Sequence, residues 1–292
     1  MIQSLTGFGR AEVESEGVRF SVEIRSVNNR FLEVYTKLPR NLVHAEMDIR
    51  SYLRKHIERG KVNVFVYESK ESYRKSKMEF DSNTALELVT SLKDVAEKTG
   101  VKDDLSLSDL VHLLDYISGE ENEDMAATRL KLVKKGLESA LSEYNRMRTD
   151  EGKNLEKDFR DRLNTILDVV SKIEEKSGEN REASLQKLRD RIEKYIAQDE
   201  VDPGRLEQEV AYIIDKLDVT EEIVRLRSHI QLFNDALDKG GAVGKRLNFI
   251  LQEMNRETNT IGSKASDASV ASWVVQVKEE LEKIREQVQN IV

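Results

Sequence analysis

The chain of 292 residues is 35% charged, 38% hydrophobic and only 6% aromatic, with two prolines and a net charge of −8. That length allows two domains, or one domain with a long helical extension, and the composition suits a helix-rich protein with extended surfaces. The absence of cysteine excludes disulfides and thiolate metal sites, so any metal is held by oxygen and imidazole and a reducing cytoplasm is the expected setting.

The expected elements fall into an α+β unit followed by long helices. Alternating or β-rich runs predict strands at Thr6–Glu14, Val18–Val27, Phe31–Leu38 and Lys61–Glu68, with turns at Glu16-Gly17 and at Val27 to Arg30. Short connections predict antiparallel pairing. Helices are expected over Ala45–Glu58, over Asp81–Lys98 and from Ser106 or Ser108. From Thr128 onward, Leu130, Val133, Leu137, Leu141 and Tyr144 keep helical spacing, as do Phe159, Leu163, Ile166, Val170 and Ile173. Such a stripe reads as a bundle or oligomer seam. Ser177 to Asn180 is read as a break, and Asp202-Pro203-Gly204 as a turn. The last part reads as helix Arg205–Leu237, a glycine-rich connection, helix Lys245–Glu257, a loop Thr258–Ser266 and helix Asp267–Ile291. The expected divisions are 1–127 (N-terminal antiparallel-sheet α+β), 128–204 (long helical arm) and 205–292 (C-terminal helical). No signal peptide and no bilayer-spanning run is expected.

The acidic average conceals local positive charge. Arg19–Lys61 has ten Lys/Arg against five Asp/Glu, and Lys239–Lys264 has five against two. Basic patches on an acidic body are compatible with a polyanion, because phosphate contacts depend on the local surface; scattered solvated charge is the plainer alternative.

The segment Gly244–Asp267 holds the most unusual polar set. Gln252, Asn255 and Asn259 are mediocre helix formers, and Glu253 and Glu257 lie one turn apart. On the preceding helix, Asp215, Glu222 and His229 recur at seven-residue intervals, too far apart along one helix to hold a single ion. A hairpin centred near Gly241 places His229 opposite Glu253, Arg225 opposite Glu257, and Glu222 near Asn259 or Thr260. An imidazole with two carboxylates can hold Mn²⁺ or Mg²⁺, or act as a general acid/base pair; the alternative is an ion-pair seam. Gly262-Ser263-Lys264 lacks the earlier glycines of a P-loop, but as a loop it can offer N–H groups and an ammonium to phosphate. Near the start, Gly7-Phe8-Gly9-Arg10 permits a close backbone approach with a charge beside it.

Taken together, these blocks resemble the YicC/YloC family of bacterial proteins along essentially the whole chain. Leu5 to Arg10 is similar to its MTGFGR, with Leu5 for Met. Arg25 to Glu33 is similar to RSVNxRxLE, and Arg59 to Val62 to RGKV. Further resemblance runs through Arg205–Val210, Asp215–His229, Gly240–Gly244 (Ala242 for the more usual Pro), Gln252–Asp267 and Arg285–Asn290. The resemblance implies a metal-dependent endoribonuclease of bacterial RNA processing or decay, acting on single-stranded or structured RNA and assembled as a hexamer. It implies a metal and acid/base centre of Glu222, His229, Glu253 and Glu257, with His229, Glu253 and Glu257 catalytic. RNA contacts are implied for Arg10, Arg25, Asn28, Arg30, Lys61, Lys245, Arg246, Arg256 and Lys264. A non-catalytic RNA-binding scaffold and a hydrolase of small phosphate esters are the competing classes.

Overall fold

A computed structural model describes residues 2–15, 17–69, 82–102, 106–109, 123–196, 203–265 and 267–291. The chain divides into two compact units, Thr6–Met147 and Met1–Leu5 with Arg148–Val292. The expected α+β class holds, with a small sheet at the N-terminus and long helices after it.

The first unit is built on strands β1 (Gly7–Ser15), β2 (Val18–Val27), β3 (Leu32–Lys37) and β4 (Gly60–Glu68), in the spatial order β1-β2-β4-β3. The connection from β1 to β2 follows the sequence: Ser15 pairs with Val18, and Gly17 takes φ 77°, which its missing Cβ allows. The sheet is mixed rather than wholly antiparallel. β3 runs parallel to β4, because a 3₁₀ turn (Arg40–Ala45) and helix α1 (Glu46–Arg54) intervene and carry the chain back to the same end.

Alternation gives the sheet one buried face. Phe20, Val22 and Ile24 of β2 and Val62, Val64 and Val66 of β4 pack with Leu42, Ile49 and Leu53, and with Val133, Leu137, Ala140 and Tyr144 of the long helix α3 (Glu123–Ile196). Helix α2 (Ser82–Thr99) matches the expected Asp81–Lys98 closely; Asp81 itself lies outside the described residues. Of the helix expected from Ser106 or Ser108, residues 107–109 are helical, and 110–122 lie outside the described residues. Gly9 is where α3 approaches β1: a Cβ there would come within 2.6 Å of the Tyr144 amide nitrogen. The close approach expected around Gly7 and Gly9 is thus an approach of helix to strand.

The expected break at Ser177–Asn180 is not there; α3 is helical through all four residues. An isolated glycine costs about 1 kcal/mol in a helix interior, too little to end a helix whose flanking turns are otherwise favourable.

In the second unit, the later part of α3 packs through Phe159, Leu163, Ile166, Val170 and Ile173 against three further helices. These are α5 (Thr220–Lys239), α6 (Gly244–Lys264) and α7 (Ala268–Val288). Phe159 and Phe233 meet edge to face with centroids 5.9 Å apart. Helix α4 (Pro203–Leu217) precedes them. The single helix expected over Arg205–Leu237 is therefore two. Asp218 follows the first and accepts the Thr220 amide at 2.8 Å through its side chain, at the point where the second begins. The expected loop Thr258–Ser266 is also corrected: α6 continues to Lys264, with the Thr258 and Thr260 hydroxyls turned back onto the carbonyls of Met254 and Arg256. No helix among the described residues is long and apolar enough to cross a membrane.

Candidate active site

The site begins with a pair of glycines. Gly240 (φ 62°) and Gly241 (φ 78°) take left-handed conformations that end α5 and reverse the chain into α6. Leu226, Ile230 and Phe233 on α5 and Leu247, Ile250 and Met254 on α6 are buried in one core. That packing fixes the register of the hairpin. It also sets which polar side chains at the edge of the seam face each other.

The register brings His229 to Glu253 and Glu257. One candidate ligand atom from each of the three lies within 4.8 Å of the other two. Glu257 is only 6% exposed, while His229 and Glu253 are half-buried, so the cluster opens to solvent on one side. Arg225, one turn before His229, has Nη1 at 4.0 Å from Glu257 Oε1 and forms its shorter contact with Glu221. Arg225 thus reaches the buried Glu257 carboxylate only at the edge of ion-pair distance. A divalent cation fits this donor set. Two carboxylates and one imidazole are ligands suited to Mn²⁺ or Mg²⁺, and bound ligand atoms stand on the order of 3–4 Å apart, within reach of modest side-chain adjustment.

The other expected site residues are placed differently. Glu222 is buried and accepts a 2.8 Å hydrogen bond from Lys264 Nζ at Oε1, while its Oε2 is buried with no partner. Lys264 also donates to the Asp218 carbonyl at 2.8 Å. Glu222 therefore stands outside the three-residue cluster, and Lys264 is held in a structural contact inside a helix rather than presented on a loop. Asp215 lies on α4, before the break at Asp218, and does not share the α5 stripe. Lys245 and Arg246 are exposed in the first turn of α6, and Arg256 is exposed with Nη1 3.9 Å from Glu253 Oε2.

The remaining cations belong to the N-terminal sheet. Arg10 donates to Glu12 at 2.9 Å and Arg25 to Glu23 at 2.8 Å, so both are ion-paired on the strand surface. Arg30 and Lys61 are exposed, and Asn28 is an exposed residue directly after β2. Arg225 is not among the residues that the sequence marks for chemistry; its one signal there is a position one turn from His229 and across from Glu257.

Two family descriptions cover nearly all of the chain. Residues 2–157 match the family described as Endoribonuclease YicC-like, N-terminal region, and residues 173–292 match Endoribonuclease YicC-like, C-terminal. A protein of Clostridioides difficile named "Probable endoribonuclease YicC" is 35% identical over 292 residues, covering all of both chains. One of Haemophilus influenzae with the same name is 31% identical over 291 residues, again across both full lengths.

Proposed function

The chain belongs to the YicC-like endoribonuclease family, and from that premise we propose that it cleaves RNA phosphodiester bonds with the help of a divalent cation, Mn²⁺ or Mg²⁺. The observation that carries the reading is the convergence of His229, Glu253 and Glu257 from two helices onto one small volume. Nothing in the apolar packing of α5 and α6 requires an imidazole and two carboxylates to meet there.

In this reading Glu253 and Glu257, one turn apart on α6, hold the cation together with His229. When bound, the ion supplies Lewis-acid polarisation of the scissile phosphate. If His229 stays off the ion and the two glutamates alone hold it, its ring nitrogen is free to take or return a proton, a role imidazole often fills. Glu253, with its side chain 30% exposed, sits at the mouth of the cluster and can orient an attacking hydroxyl. Exposed Arg225 and Arg256 flank the carboxylates and provide positive charge for the substrate backbone. Glu222 and Lys264 support the hairpin from one end. The resemblance extends the proposal to a cytoplasmic hexamer acting in bacterial RNA processing or decay, with Arg10, Arg25, Asn28, Arg30 and Lys61 contributing RNA contacts.

The test is cleavage of a labelled RNA by the purified chain with Mn²⁺, with Mg²⁺ and with EDTA, beside E253Q/E257Q. The proposal expects cutting that needs the cation and is lost in the variant, with RNA binding retained. Cleavage undiminished by EDTA would point to a metal-free route through the ribose 2′-OH. Binding without cleavage under every condition would make the protein a scaffold.

A further inference from the structure

The exposed face of the N-terminal sheet has a feature that the cleavage site does not use. Strand registers align Phe8, Arg25, Asn63 and Tyr35 across all four strands, with Lys61 and Glu33 in the adjoining row. These positions alternate with the buried ones, so they share the face turned away from the core. Arg30 and Phe31 lie in the turn between β2 and β3, at the same end of the sheet.

At this end three aromatic rings each have a cation beside them. Arg25 Cζ is 5.2 Å from the Phe8 ring centre, Arg30 Cζ is 5.4 Å from that of Phe31, and Lys61 Nζ is 5.0 Å from that of Tyr35. Among the described residues these are the three cation–ring contacts. The chain has few aromatic residues, yet Phe31 is 66% and Tyr35 50% exposed. Tyr212 and Phe249 are as exposed elsewhere, so exposure alone marks nothing; what distinguishes Phe31 and Tyr35 is that each has a cation beside it at one end of one sheet. Arg25, Arg30 and Lys61 give this end positive charge against Glu33 and Glu23, the latter already paired to Arg25.

We propose that this end of the sheet binds single-stranded RNA, with bases stacked on Phe31 and Tyr35 and the backbone met by Arg25, Arg30 and Lys61. A nucleotide presents one flat face and one negative charge, and each ring–cation pair complements both. The cation that covers a ring in the free chain moves to the phosphate as the base takes its place. Four-stranded sheets that display aromatic residues stack two or three bases in this way, and such stacking tolerates any sequence. A duplex has no free base faces to offer. The inference rests on RNA being the substrate and on the contacts already proposed for Arg25, Arg30 and Lys61, and it adds the two rings on which bases stack.

Fluorescence anisotropy in EDTA tests it with three probes of one length: single-stranded RNA, the same backbone made abasic, and a fully paired duplex. The wild-type chain is expected to prefer the single strand. F31A/Y35A is expected to lose at least about tenfold in affinity for it, and F31Y/Y35F to retain the affinity. Both should bind the abasic strand as the wild type does. K61Q is expected to flatten the salt dependence by about 0.7 in the log–log slope. Equal affinity of the wild type for the normal and abasic strands overturns the proposal. So does a change in sedimenting mass of F31A/Y35A with unaltered RNA affinity, which would make the face a contact between copies. Ring-dependent binding without cleavage in any metal would sink the nuclease reading and leave this one standing; cleavage with ring-independent binding would do the reverse.

Discussion

Lys264 Nζ lies 2.8 Å from Glu222 Oε1 and links the last turn of α6 to the first turn of α5. The contact closes the open end of the hairpin that presents His229 and Glu253, opposite the Gly240-Gly241 turn. K264M leaves the Glu222 carboxylate in its buried position without its cation, and is expected to destabilise the chain by about 2 kcal/mol. E222M/K264M should recover most of that loss, since a pair replaced by apolar groups of similar size costs little. The urea midpoint of each variant reads this directly. E222Q should leave Mn²⁺ affinity nearly unchanged; a large loss would return Glu222 to the ion's own ligands.

Two glycines should respond in opposite directions. At Gly9 an added methyl group meets the Tyr144 amide nitrogen at 2.6 Å and its Cβ at 3.0 Å, so G9A is expected to cost about 2–3 kcal/mol. At Gly178 a Cβ finds nothing within 4 Å, and the residue lies inside a helix. G178A should therefore stabilise by about 0.5–1 kcal/mol. Thermal unfolding of the pair distinguishes close packing at the first from mere helix propensity at the second.

Acid should weaken the second unit at two identifiable carboxylates. The Asp218 carboxyl is held below its ordinary pKa chiefly by the Thr220 hydrogen bonds, and Asp267 is lowered chiefly by the Ser269 amide at the start of α7. A depressed folded value means that the stabilisation is present above the unfolded pKa, about 3.9 for Asp, and is lost as pH falls through the lowered value. Chemical denaturation midpoints should hold between pH 7 and 5 on this account and fall below about pH 4. D267A should lower the denaturation midpoint at neutral pH, where the cap is charged, and have much less effect where the carboxyl is already protonated.

Much of this is legible in the chain. The strands are visible because a half-covered sheet forces alternation, and the four observed strands lie within a residue or two of the expected runs. The facing of His229 and Glu253 follows from Gly240-Gly241 and helical spacing, and the folded hairpin brings Glu257 into the same cluster. The parallel pairing of β3 with β4 departs from the expected antiparallel sheet although its signal is present: a helix between two strands is what a parallel crossover needs. The break at Asp218-Val219 is hidden because the apolar stripe runs on through it, and only the Asp218 side chain, folded back onto the Thr220 amide, marks it. The continuation of α6 to Lys264 is hidden by its amides, hydroxyls and Gly262, whose poor propensity is outweighed by Ile261 in the core and the Glu222–Lys264 contact.

In the proposed function His229, Glu253 and Glu257 share one divalent cation. Isothermal titration of Mn²⁺ into the metal-free chain and into H229A/E253Q/E257Q measures that sharing, with circular dichroism to show that both proteins are folded. One ion bound per chain, lost in the variant, is the expected result. Binding of equal stoichiometry and affinity in the two proteins would contradict it.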